Sequence, residues 1–172
     1  AILFGYEADG YSRIYQFFIS FGSLLWAWIG LYFLRKLLLR YFDQITTAVV
    51  LGSIILGTNY FDYASFTGAM THNYLFSLYA ILLCSIDNYY LNKGDKWFYI
   101  SCLIIGLMVL IRPTEIISLL LLLGWKIDNM LSIKSRVFHF LESYRLLFFG
   151  GLCFSIFPLS QVIYWKYVTG EW

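Results

Sequence analysis

Asp62, His72, Asn73, Arg112 and Glu115 are the side chains of this sequence best suited to binding chemistry. Arg112 and Glu115 flank Pro113-Thr114, so a guanidinium and a carboxylate stand at one break in the chain. Asp62, His72 and Asn73 belong to a stretch, Thr58 to Asn73, that holds no Lys or Arg and interleaves aromatics with Asn, Asp, Ser, Thr and His. Aromatic faces stack on pyranose rings and short polar groups bond hydroxyls, so this composition suits a sugar site. An interfacial aromatic belt with polar turn residues has the same composition. No paired carboxylates recur at a fixed helical spacing, which leaves no independent glycosidase argument. Cys84, Cys102 and Cys153 lie in apolar runs at no metal spacing and read as small buried apolar residues. No metal or other cofactor is expected.

The elements that must position these residues are membrane helices. The chain is 60% hydrophobic and 22% aromatic with only 13% charge, an all-α membrane composition. Apolar runs extend from Ser12 to Leu34, Ile45 to Thr58, Tyr74 to Ile86, Trp97 to Ile111, Ile116 to Trp125 and Leu146 to Val168. As six crossings of one polytopic helical bundle, they sort the basic residues by side. Arg35, Lys36, Arg40, Lys93, Lys96, Lys126, Lys134, Arg136 and Arg145 fall on one side, and only Arg13, Arg112 and Lys166 on the other. That bias makes the first side cytoplasmic. Asp9, Asp62, His72, Asn73, Arg112, Thr114 and Glu115 then lie outside. Net charge of +2 is accounted for by topology, and no basic stripe in a soluble region points to nucleic acid.

Trp97 to Trp125 decides the crossing count. Pro113 disfavours helix at Arg112 and can start a new helix after it. One kinked span would put Lys126, Lys134, Arg136 and Arg145 on the outer face, so a hairpin of two short helices is expected. Its apex, Arg112 to Glu115, would line a water-filled cavity rather than face lipid. Ser12 is a candidate N-cap for the first span, and Trp26 and Trp28 read as packing anchors within it. Gly22 and Gly30 are a small-residue signal for close helix approach. Met130, Ile133, Val137, Phe138 and Leu141 repeat at helical spacing, predicting an amphipathic helix on the cytoplasmic surface that includes His139. Gly150-Gly151 and Pro158 predict a bend in the last span. The sequence starts at Ala1 and stops at Glu171-Trp172 just after a span, and reads as a single membrane domain, 1–172, truncated at both ends.

Asp9-Gly10-Tyr11-Ser12, Met70-Thr71-His72-Asn73-Tyr74-Leu75-Phe76 and Gly106-Leu107-Met108-Val109-Leu110-Ile111-Arg112-Pro113-Thr114-Glu115 together resemble the membrane glycosyltransferases of the GT-C fold. The layout resembles in particular bacterial relatives of the family 39 protein mannosyltransferases and lipid A aminoarabinose transferases. The closing Tyr164 to Trp172 is similar to an outer loop of such proteins. The resemblance covers most of this chain and the middle of the family's membrane domain. It implies transfer of a sugar from a polyprenyl-phosphate donor to an acceptor at the extracytoplasmic face of a bacterial plasma membrane. The partners it implies are that lipid-linked sugar and membrane lipid. The catalytic carboxylate is expected upstream, in a loop of which only the end near Glu7 and Asp9 is present, so this stretch alone is expected to be inactive. Arg112 is then expected to bind the carrier phosphate, since a fixed guanidinium stabilises leaving-group charge bidentately; the alternative is an ion-pair partner of Glu115. His72 would bond phosphate or an acceptor hydroxyl, or be an interfacial His. Asp62 would bond sugar hydroxyls or hold a turn.

Other classes stay open. A transporter or flippase for lipid-linked saccharides would use the same residues, although the inverted repeats that favour it are not visible. A polysaccharide polymerase and a non-catalytic membrane scaffold are further alternatives.

Overall fold

The computed structural model describes residue 5 and residues 10–91, 93–127 and 130–170. Glu7 and Asp9 lie outside these. The described residues are helical, with no strand among them. The order is α1 (Arg13–Leu38), α2 (Gln44–Gly57), α3 (Tyr60–Ser65), α4 (Thr71–Tyr90), α5 (Lys96–Ile111), a 3-10 helix (Pro113–Ser118), α6 (Leu119–Gly124), α7 (Met130–Glu142) and α8 (Tyr144–Thr169).

Two of these, α1 and α8, are long and apolar enough to cross a membrane. Each has 26 residues, about 39 Å of helix against a hydrocarbon core of about 30 Å. Their apolar windows are only 17% and 11% buried. A core helix of a soluble protein would be mostly covered, whereas these present Phe17, Trp28, Phe148 and Ile156 outward. The other apolar helices are shorter: α2 has 14 residues and α5 has 16. Helix α5 stops at Ile111, and Arg112 turns extended (φ −145°, ψ 117°) ahead of Pro113, so no continuous helix runs through the break. The 3-10 helix and α6 have six residues each. At about 2.0 and 1.5 Å per residue they rise about 21 Å together, short of a full crossing.

The chain forms two compact units, Ala1–Ile81 and Leu82–Trp172. The first is organised around α1. Tyr60, Ala64 and Ala27 form its buried centre, with Leu31, Ile54, Ile55 and Phe76 packed against them. Small residues allow the close approach: a Cβ on Gly30 would lie 2.6 Å from Ser77 Oγ, and one on Gly68 2.9 Å from Ser23 Cβ. Gly22 faces open space, so of the two expected glycines only Gly30 acts at a contact. Trp26 packs edge-on against Tyr74. Trp28 is 68% exposed and anchors nothing, contrary to the expectation. Ser12 has N-cap backbone geometry without a side-chain cap bond. The Thr58 to Asn73 stretch contains α3, too short to show any periodicity.

The second unit centres on α5 against α8, with Phe98, Cys102, Ile105, Met108, Phe140 and Leu146 buried. Helix α8 continues through Pro158. Proline has no N–H, so the carbonyl of Phe154, four residues earlier, loses its helical donor. That carbonyl points at Gly106 of α5, where a Cβ would collide with it. Glycine permits the approach, and a Cα–H···O contact offsets part of the missing bond. In lipid such packing, rather than exclusion of water, holds helices together. Helix α7 forms as the periodicity predicts, with Phe138 and Leu141 exposed and Phe140 buried.

Candidate functional site

In the first unit, α3 is fixed by its own start. Thr58 Oγ1 accepts from the Tyr60 N–H at 3.1 Å and donates to the Ile54 carbonyl at 2.6 Å. The Tyr60 hydroxyl reaches across to donate to the Ala27 carbonyl at 2.8 Å. Burial raises its pKa above the usual range, so it stays a donor. Ser23 of α1 donates its hydroxyl to the Tyr63 carbonyl at 3.1 Å. Asn73, in the first turn of α4, donates Nδ2 to the Ser23 carbonyl at 2.6 Å and to Ser23 Oγ at 2.9 Å. Four residues on, Ser77 donates to the Trp26 carbonyl at 2.6 Å and lies 3.0 Å from the Asn73 carbonyl.

This framework supports a groove of about 440 Å³ lined by Thr58, Asn59, Tyr60, Tyr63, His72 and Asn73, with Ile54 and Phe76. Tyr63 and His72 stack at 4.7 Å between ring centroids and 26° between planes. Tyr60 and Phe76 form a second aromatic pair at 4.5 Å. No Lys, Arg, Asp or Glu lines the groove. Asn73 is 1% exposed, and its Oδ1 has no hydrogen-bond partner among the described residues. The groove thus joins aromatic walls with polar side chains and has no Lys, Arg, Asp or Glu in its lining among the described residues.

The structure therefore brings together two of the expected site residues, His72 and Asn73, in one groove. Asp62 is placed differently: its carboxylate accepts from Thr67 Oγ1 at 2.8 Å and its carbonyl from the Thr67 N–H at 3.0 Å, which closes the turn after α3. Arg112 and Glu115 belong to the second unit. Arg112 is half-buried and ends α5; its N–H donates to the Met108 carbonyl at 2.9 Å, and its carbonyl accepts from the Glu115 N–H at 2.9 Å.

A second polar cluster, absent from the sequence reading, surrounds the end of α6. Asp87 of α4 is fully buried. It accepts from Trp125 Nε1 at 3.1 Å and pairs with Lys126 Nζ at 2.8 Å. Lys126 has φ +53°, a left-handed conformation that costs a non-glycine residue about 1 kcal/mol or more. The Tyr90 hydroxyl donates to the Leu122 carbonyl. Arg136 of α7 donates to the Leu123 carbonyl at 2.8 Å and to the Trp125 carbonyl, with its guanidinium 4.2 Å over the Tyr90 ring. These bonds satisfy carbonyls that a helix end leaves open. No group of His, Cys, Asp or Glu among the described residues could hold a metal. Cys84, Cys102 and Cys153 form no disulfide among the described residues, and the first two are buried.

Comparison with protein-family models, curated proteins and solved structures finds no match for this chain.

Proposed function

We propose that this chain is part of a membrane glycosyltransferase that moves a sugar from a polyprenyl-phosphate donor to an acceptor outside a bacterial plasma membrane. In this reading the apolar segments make six crossings of a GT-C-like bundle, the two short ones forming a hairpin broken at Pro113. The observation that carries it is Arg112: a half-buried cation at a proline break between apolar helices. A cation held near membrane depth is costly without a cavity or an anionic partner. A lipid phosphate is an anion that such a guanidinium would bind, and its negative charge grows as the sugar leaves. A guanidinium meets two phosphate oxygens at once, which an ammonium does not.

The test uses membranes that contain the native acceptor, from cells lacking the endogenous gene and expressing the full-length protein. Transfer of labelled sugar from its polyprenyl-phosphate donor is measured for wild type, Arg112→Lys and Arg112→Ala. At equal expression, Arg112→Ala is expected to lower transfer by about 100-fold, the usual scale for removing one such stabilising group. Arg112→Lys should recover only part of it. Wild-type rate and apparent donor affinity in Arg112→Ala would refute the phosphate role and leave Arg112 as a partner of Glu115.

A further inference from the structure

A polar pocket of about 550 Å³ lies in the second unit, between the end of α4, the start of α5 and α7. Asp95, Ser135, Arg136 and His139 line it, together with Tyr89 and Tyr90. Ser135 and Arg136 stand four and three residues before His139, which puts all three on one face of α7. Asp95, Ser135 and His139 are exposed, so a ligand can reach them. Arg136 gives both of its hydrogen bonds from Nη1, to the Leu123 and Trp125 carbonyls. A guanidinium carries five N–H donors, and the three on Nε and Nη2 are not spent on those bonds. Asp95 precedes α5 without a side-chain cap bond. The basic side chains near it are occupied elsewhere. Lys93 Nζ donates to Asn88 Oδ1 at 3.3 Å, Lys96 lies over the Trp97 ring at 5.6 Å, and Arg145 bonds the Tyr144 hydroxyl at 3.0 Å. A guanidinium and a carboxylate thus line one cavity without forming an ion pair with each other.

That arrangement selects a ligand by charge. An anion alone would be repelled by Asp95, and a cation alone by Arg136. A ligand with a phosphodiester and a primary ammonium satisfies both sides through charge-assisted hydrogen bonds. Stacking does not contribute, because the tyrosine rings are already covered: Arg136 lies 4.2 Å over Tyr90, and Tyr89 stacks with Phe140 at 6.4 Å. The setting of α7 gives the source of the ligand. On its other face Phe138 and Leu141 are 62% and 67% exposed. Helix α8, long and apolar enough to cross a membrane, starts two residues after α7 ends. An amphipathic helix so placed lies at headgroup level, with its apolar face toward the acyl chains.

We infer that this pocket binds the headgroup of a phosphatidylethanolamine lipid, with the phosphodiester on Arg136 and His139 and the ammonium on Asp95. The lipid is a bound component of the membrane, not the donor or acceptor of the proposed transfer, and its binding does not rest on the glycosyltransferase reading.

The experiment is native mass spectrometry of the full-length protein in detergent micelles. The probe is an equimolar mixture of phosphatidylethanolamine, phosphatidylglycerol and phosphatidylcholine with identical acyl chains. Phosphatidylglycerol lacks the ammonium, and the quaternary ammonium of phosphatidylcholine has no N–H to donate. Wild type should retain phosphatidylethanolamine about tenfold over either, the scale of one hydrogen bond to a charged group. In Asp95→Asn the preference over phosphatidylglycerol should fall to parity. In His139→Ala both lipids should be held more weakly while their ratio stays. Arg136→Ala would also remove the bonds to the α6 carbonyls, so the deciding variants are the two exposed residues, Asp95→Asn and His139→Ala. Glycerophosphoethanolamine, the same headgroup without chains, should compete only weakly. Equal retention of the three lipids by wild type, or a preference for phosphatidylglycerol, would overturn the inference. So would an Asp95→Asn protein that keeps the wild-type ratio. Displacement of the lipid by glycerophosphoethanolamine at equal concentration would make the ligand a soluble phosphoethanolamine compound and overturn the membrane source.

Discussion

The α6 end and the α3–α4 groove both gather polar side chains in an apolar setting, but one is closed and the other open. At the α6 end, Asp87, Tyr90 and Arg136 meet the Trp125 N–H, the Lys126 ammonium and three carbonyls. In the groove, the Asn73 amide spends its nitrogen on Ser23 and leaves its oxygen unmet. Buried polar groups that are all paired hold a structure together. A buried acceptor left unpaired costs stability instead.

The largest effect should follow from breaking the closed cluster. Asp87→Ala removes the carboxylate and leaves the Lys126 ammonium and the Trp125 N–H without it. Removing one partner of a buried pair costs about 3–5 kcal/mol; Lys126, 39% exposed, recovers some hydration, so the lower end is expected. Asp87→Asn keeps an acceptor for Trp125 and should lose less. The double change Asp87→Leu with Lys126→Met should recover much of the loss, since no uncompensated charge remains. Thermal unfolding in one detergent orders the variants. If Asp87→Ala melts like wild type, the cluster is not holding the α6 end.

A smaller loss is expected on the open side. Asn73→Ala gives up two donated bonds to Ser23 but also removes an acceptor that had no partner. The bonds contribute about 0.5–1.5 kcal/mol each, and deleting the unmet oxygen offsets part of that. Stability should therefore fall by about 1 kcal/mol, well below the Asp87→Ala loss, as read by thermal unfolding in the same detergent. Equal destabilisation by the two substitutions would erase the distinction between the fully paired cluster and the half-paired one.

The sequence made some of this legible and not the rest. Apolar length alone located α1 and α8, and Pro113 located the break after α5. The period of Met130, Ile133, Val137 and Leu141 located α7. His72 and Asn73 stood out because Thr58 to Asn73 lacks basic residues. Helix α3 was missed because six residues carry no periodic signal. Ser23 looked like any small residue in an apolar run, since its importance comes from Asn73, fifty positions away. Asp87 did carry a signal, as the one carboxylate between Tyr74 and Tyr90. Its partners are roughly forty residues on and follow an irregular turn, so no spacing rule connects them. The Phe154 carbonyl was implicit in Pro158, but its contact with Gly106 needed the α5–α8 crossing to be known.

The smallest effect belongs to an exposed carboxylate that calibrates the buried one. Asp43 precedes α2 and accepts from the N–H groups of Ile45 at 3.0 Å and Thr46 at 3.3 Å, and from the Thr46 hydroxyl. This is an N-cap, and its bonds favour the ionised form. The Thr46 hydroxyl first, then its N–H, lower the Asp43 pKa below the ordinary 3.8. With the folded value below the unfolded one, the stabilisation is fully present above pH 3.8 and is lost as pH falls through the folded value. Melting temperatures between pH 5 and pH 2 should show a shallow decline in wild type. Asp43→Asn, which still caps but does not titrate, should lack that part of the decline. Because the group is fully exposed, solvent and salt screen it, and the difference should shrink further at high salt. If Asp43→Asn changed the acid profile as much as Asp87→Asn, burial would not be what separates the two carboxylates.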